Sequence, residues 1–218
     1  MLDHGPQPAR QIMELANQES DRMRHSYVGC EHILAALATY PAHAADVLIR
    51  HGLDVASIRS ELDRLVDEGI LPPPWRNDAD LLRTLGVDLD AVRHHMEAAF
   101  GADAMERATR RASRRTGWHG LTGKPLLIKR AFQFAGEERR RLGHPQMTPE
   151  HILLGLLKDA QDPLQKPRCF NNPWARRRRT NLGLPHRGPS PVRRIVHARG
   201  AGLSDLYQAV EAELHATA

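Results

Sequence analysis

The stretch Leu15–Leu37, LANQESDRMRHSYVGCEHILAAL, decides the fold because the chain repeats it as Phe134–Leu156, FAGEERRRLGHPQMTPEHILLGL. A constant shift of 119 residues superposes the two without a gap. It carries Ala16, Glu19, Arg22, His25, Glu31, His32, Ile33, Leu34 and Leu37 onto Ala135, Glu138, Arg141, His144, Glu150, His151, Ile152, Leu153 and Leu156. Self-similarity at one offset is the mark of a duplicated supersecondary unit whose copies bury their apolar faces on each other.

Each copy reads as two helices around a short turn. Ile12, Leu15, Ala16, Glu19 and Met23 keep helical spacing, as do Ala131, Phe134, Ala135, Glu138 and Leu142. His25–Val28 and His144–Met147 interrupt the pattern. The second helix of the later copy opens with Thr148 as N-cap, Pro149 at N1 and Glu150 where the helix dipole favours an anion. Gly29, Cys30 and Glu31 hold those places in the first copy. Ile33, Leu34 and Leu37, with Ile152, Leu153 and Leu156, form inward stripes.

A second piece of grammar follows: a short helix, a Gly, an apolar residue and a longer helix. It occurs at 44–66, where His51-Gly52 closes one helix and Asp54 caps the next, and again at 192–214 around Gly200. A third instance at 79–100 runs through Gly86 into Leu89–Phe100, with Val92, Met96 and Phe100 on one face. No stretch alternates as a strand would. The expectation is all-α: a double helical repeat with pseudo-twofold symmetry and about ten helices. Its first repeat and an extra helix pair span 9–100, a basic hinge 101–124, and the second repeat 125–214. That second repeat is interrupted at 162–191 by a Pro-rich basic insertion expected to be disordered.

Composition narrows function. With 218 residues and 41% hydrophobic content the chain can bury a real core. Cys30 and Cys169 make neither a disulfide framework nor a zinc pair. No long apolar run marks a membrane span, so a cytoplasmic protein without membrane contact is expected. Charge divides unevenly: residues 1–100 hold 9 Lys/Arg against 16 Asp/Glu, the remainder 22 against 10. A Walker A loop needs a leading Gly and a hydroxyl after its Lys. The nearest approach, Gly123-Lys124-Pro125, has Pro for the hydroxyl and Trp118 for that Gly. With no nucleophile elbow and no H-E-x-x-H helix either, no enzyme, cofactor or metal is expected. His25, His32, His144 and His151 read as turn and cap residues, and Glu19 and Glu138 as buried acids bonded to the turn or helix start of their own repeat.

The paired Ala-x-x-Glu helix and Glu-His-Ile-Leu helix start resemble the Clp N-terminal (Clp repeat) domain, the module at the front of Clp-type AAA+ unfoldases such as ClpC. Here those features stand at Ala16/Glu19, His25 and Gly29–Leu34, and at Ala135/Glu138, Gly143-His144 and Thr148–Leu153. Cys30 and Pro149 replace the family's Thr. The resemblance implies a stand-alone, non-enzymatic accessory or decoy factor that binds substrates, adaptors, arginine-phosphate or basic peptides of Clp systems, or the Clp ATPase itself. It makes Glu31, His32, Glu150 and His151 the candidate ligand-binding residues. A carboxylate there pairs well with a guanidinium, while the plainer role for each is a helix-start cap. The alternative is a DNA-binding regulator using the basic second half, with Arg176, Arg177, Arg178 and Arg179 on phosphates. Pseudo-twofold packing leaves a seam between the repeats, whose lining the sequence does not name.

Overall fold

The structure is a computed structural model that describes residues 7–74, 86–101, 124–161 and 190–216, with isolated positions between them. Every element named among them is a helix. The first half holds α1 (Gln7–Arg22), α2 (Cys30–Thr39), α3 (His43–Arg50) and α4 (Val55–Asp67). Next comes α5 (Leu89–Phe100). The second half holds α6 (Lys129–Arg141), α7 (Pro149–Gln161), α8 (Pro191–Ala198) and α9 (Leu203–Ala216). The all-α double repeat expected from the duplicated stretch is what the chain adopts.

Helices α2 and α7, which open with the Glu-His-Ile-Leu runs, form the centre. Nearly every residue of both is buried, Leu34 and Leu153 completely. A helix apolar all round has to sit inside. The amphipathic α1 and α6 cover them, turning Ile12, Met13 and Ala16, or Ala131 and Ala135, inward. The tails behave as their grammar requires. Asp54 Oδ1 accepts from Ser57 N (3.0 Å) to cap α4, and Gly52 and Gly200 take the left-handed conformation that ends α3 and α8. The short helices straddle the seam: α3 packs on α2 but also on α7 and α9, and α8 packs on α7 but also on α2 and α4. Each half is therefore completed by the other.

One crossing is closer than the rest. A Cβ on Gly155 of α7 would stand 2.3 Å from the Ala131 carbonyl oxygen and 2.5 Å from Ala135 N of α6. Only a hydrogen fits there, which explains a Gly in mid-helix.

The third instance of the tail grammar gives the helix read from its sequence, but away from the core. Helix α5 forms and is capped by Asp88, whose Oδ1 accepts from Asp90 N and Ala91 N at 3.0 Å. Its stripe does not enter the core: Val92, Met96 and Phe100 are 45, 41 and 67% exposed. No described helix lies against it as α3 lies against α9 or α8 against α4. The preceding Leu81–Leu85, most of the basic hinge and most of the 162–191 insertion lie outside the described residues. No described helix is long and apolar enough to cross a membrane.

Candidate functional site

The four candidate residues sit at the starts of α2 and α7, buried beneath the α1–α2 and α6–α7 turns. Glu31, His32, Glu150 and His151 are 4, 0, 7 and 0% exposed. Each histidine occupies N3 and reaches back to the N-cap residue: Gly29 N donates to His32 Nδ1 (2.9 Å), and Thr148 N to His151 Nδ1 (3.1 Å). An acceptor at Nδ1 leaves the proton on Nε2, which points at the next histidine. His32 Nε2 lies 3.0 Å from His25 Nδ1, and His151 Nε2 3.0 Å from His144 Nδ1. In the first half the chain of donors ends where His25 Nε2 meets the Pro72 carbonyl (3.0 Å). His32 and His151 are helix-start caps and His25 and His144 are turn residues bonded to them, as expected; the reach of His25 to Pro72 is not local.

Burial makes a charged imidazole costly at this point. It lowers His25 to about 4 and His32 well below its ordinary value; His151 is lowered for the same reason. His25, Glu31 and His32 do bring ligand-type atoms within 4.8 Å of one another. All four ring nitrogens of the two histidines already face a donor, an acceptor or each other, so a metal held here would displace at least one of these hydrogen bonds.

Glu150 works across the seam. Its Oε1 accepts from Ala44 N (3.1 Å) in the first turn of α3, helping to cap a helix of the opposite half. As placed, the four candidates are engaged with protein.

The paired buried acids are inward, as expected, but their partners are not the turns. Glu19 is held by Arg22 Nε (3.1 Å) and by Arg59 Nε (3.1 Å) and Nη2. Glu138 is held by Arg141 Nε (2.6 Å) and Lys158 Nζ (2.6 Å). Burial pushes both carboxyls up, but these cations outweigh it and hold them below the ordinary range. The tail shift of 148 residues carries Arg59 onto Tyr207 and Asp63 onto Glu211. In the second half Arg141 Nη2 reaches Tyr207 (3.2 Å) and Glu211 (2.7 Å), so Lys158 supplies the cation that α9 lacks. The Arg22/Arg141 identity within the duplicated stretch signalled this network; the tail partners, Arg59 and Tyr207, had no such signal.

The turns themselves are braced differently. In the first half Ser20 Oγ lies 2.7 Å from Tyr27 O and 3.1 Å from His25 O. In the second the aligned Arg139 takes that place, with Nη1 at 2.7 Å from Pro145 O and 3.3 Å from His144 O. Beside the second turn opens a cleft of about 690 Å³ lined by Gln7, Pro8, Arg139, Pro145, Gln146 and Met147. This is a stretch of the seam, and the sequence alone did not indicate it. Arg139 and Arg141 are committed to these internal contacts. Arg176, Arg177, Arg178 and Arg179 lie outside the described residues.

The fold is a helical double repeat whose halves are joined through exchanged short helices. Residues 7–70 match the family described as the Clp repeat (R) N-terminal domain. The fold agrees: the crystal structure of the N-terminal domain of the caseinolytic protease associated chaperone ClpD from Arabidopsis thaliana superposes with a TM-score of 0.52 at 16% identity, covering 99% of this chain and 97% of that one. In sequence the chain is 29% identical over 149 residues to a probable ATP-dependent Clp protease ATP-binding subunit of Chlamydia pneumoniae, 68% of this chain and 12% of that protein. It is 33% identical over 128 residues to a ClpA homolog of Cyanidium caldarium, 55% of this chain and 14% of that protein. Against ClpC/MecB of Bacillus subtilis, a negative regulator of genetic competence, it is 25% identical over 153 residues, 70% of this chain and 13% of that protein. The chain thus covers about one-eighth of the length of these relatives.

Proposed function

We propose that the protein is a non-catalytic binding module for the substrates or adaptors of a Clp ATPase system. The observation that carries this reading is the pairing of two like helical repeats, the first matching the Clp repeat family, into one body with an open cleft at their seam. Glu31, His32, Glu150 and His151 shape the helix starts and the seam from below, and ligand is met by the turns above them. Arginine-phosphate and basic peptides remain ligand classes to be tested rather than assigned, because the two carboxylates are buried.

The test is direct binding to the full chain of a reduced, carboxymethylated model protein, Clp adaptors, a phosphoarginine peptide and duplex DNA. Saturable binding of the unfolded protein or an adaptor, with no ATP turnover, is the expected result. Binding of DNA alone, with the steep salt dependence of phosphate contacts, would overturn it.

A further inference from the structure

The two halves differ at one place where they ought to match. In the first half the segment just before α6 lies extended along the α1–α2 turn. Val28 N donates to Pro125 O (2.9 Å) and Leu127 N donates to Val28 O (2.8 Å), a parallel bridge centred on Leu126. Leu126 packs on the core. Lys124 clamps the near end of the segment, its Nζ 2.8 Å from Ser20 Oγ and 2.7 Å from Asp21 Oδ1.

The 119-residue shift carries Val28 onto Met147, and Pro125, Leu126 and Leu127 onto Pro6, Gln7 and Pro8. Gln7 and Pro8 are not extended; they form the first turn of α1, which begins three residues earlier than the register of α6 requires. Pro8, at the position of the Leu127 donor, has no N–H to give. Among the described residues Met147 N–H and C=O accordingly make no hydrogen bond. The open cleft stands beside that unused edge.

The charge at this place is also inverted. Asp21, which receives Lys124, corresponds to Arg140, which is exposed and has no ion pair among the described residues. Arg139 replaces Ser20. A segment seated here as 124–127 is seated in the first half would meet a guanidinium where Lys124 meets a carboxylate.

We infer that the Pro145–Met147 edge is a docking site for an extended segment of a partner protein with an acidic residue two positions before an apolar one. Met147 N–H donates to the carbonyl between those two residues, and Met147 C=O accepts the N–H following the apolar one. This is strand addition reduced to a single bridge, with Arg140 selecting the acid. The chain's own residues 1–6 do not meet the requirement in this register, since Gly5 stands where the acid belongs. The inference rests on the binding-module reading above and names its site and ligand class.

Fluorescence anisotropy on the full chain tests it with labelled Gly-Glu-Pro-Leu-Leu-Gly, its Lys-for-Glu counterpart, a version N-methylated on the second Leu, and a peptide of residues 1–8. The Glu peptide should bind at least tenfold more tightly than the other three. The Arg140→Asp variant, checked for an unchanged melting temperature, should reverse the Glu/Lys preference, and 0.5 M salt should shrink it. Equal binding of the Glu and Lys peptides, indifference to N-methylation, preference for the 1–8 peptide, or self-association lost in Arg140→Asp would each overturn the inference. If the carboxymethylated protein or an adaptor still binds while the peptides do not, only this site is lost. If nothing binds in any arm, the binding-module reading falls too.

Discussion

At the residue scale, the duplicated turn is a controlled comparison, because aligned positions solve one geometric problem with different side chains. Arg24 is the one described non-glycine residue with positive φ, at 53°, and its counterpart is Gly143 at 72°. A left-handed backbone costs a residue with a Cβ about 1–2 kcal/mol, partly offset by the unfolded-state freedom of Gly. Arg24→Gly should therefore raise stability by about 0.5–1 kcal/mol, read as a shifted urea midpoint at constant m-value; a loss would show that the Arg24 side chain matters more than its backbone. The histidine pairs set the acid limb. The native values of His25, His32 and His151 are depressed, so the unfolded chain binds protons that the folded chain refuses, and stability rises with pH across the interval. The contribution is complete above about pH 6.5 and is lost as pH falls; for His25, lowered to about 4, the loss amounts to about 3 kcal/mol. Below about 4.5 the depressed Glu19 and Glu138 add to the loss. Urea midpoints should hold steady from pH 8 to 7 and fall from 6.5 to 4; a flat profile there would contradict the neutral, hydrogen-bonded pairs.

At the scale of elements, two predictions concern α6 and α7. Gly155→Ala forces a methyl group into backbone atoms of α6 rather than into a yielding side chain, so the helices must separate. Overpacking of this kind costs about 1–3 kcal/mol, against the slight gain Ala gives at an ordinary helix site. Calorimetry should show a lowered Tm; an increase would mean the crossing is looser than the geometry requires. Glu138→Gln keeps the shape but removes the charge facing Arg141 and Lys158. Hydrogen bonds to charged groups contribute about 1.5–3 kcal/mol, and both cations are partly solvated, so a loss of about 2 kcal/mol is expected from denaturant titration. Helix α5 shows the opposite case. Its caps and periodicity specify a helix, but periodicity says nothing about whether a partner surface exists.

At the scale of the whole molecule, the exchanged short helices couple the halves. Leu34→Ala in α2 should cost about 2–5 kcal/mol, and amide exchange should quicken in α7 as much as in α2. Loosening confined to α1–α4 would mean the halves unfold separately. What the sequence determined by itself is everything carried by local periodicity and by repetition: the helices, the inward stripes, the histidine caps and the pairing of two like units. A register of 119 residues is visible in one dimension because both copies obey the same local rules. What only the tertiary structure decided lies between elements far apart in the chain: Glu150 on the first turn of α3, Arg59 against Tyr207 as partners of the buried acids, Gly155 against Ala131, and the seam where Leu126 bridges Val28 while Met147 makes no such bridge among the described residues. Those contacts depend on how rigid helices meet in three dimensions, and nothing in the spacing of residues along a single helix encodes which surface will face it.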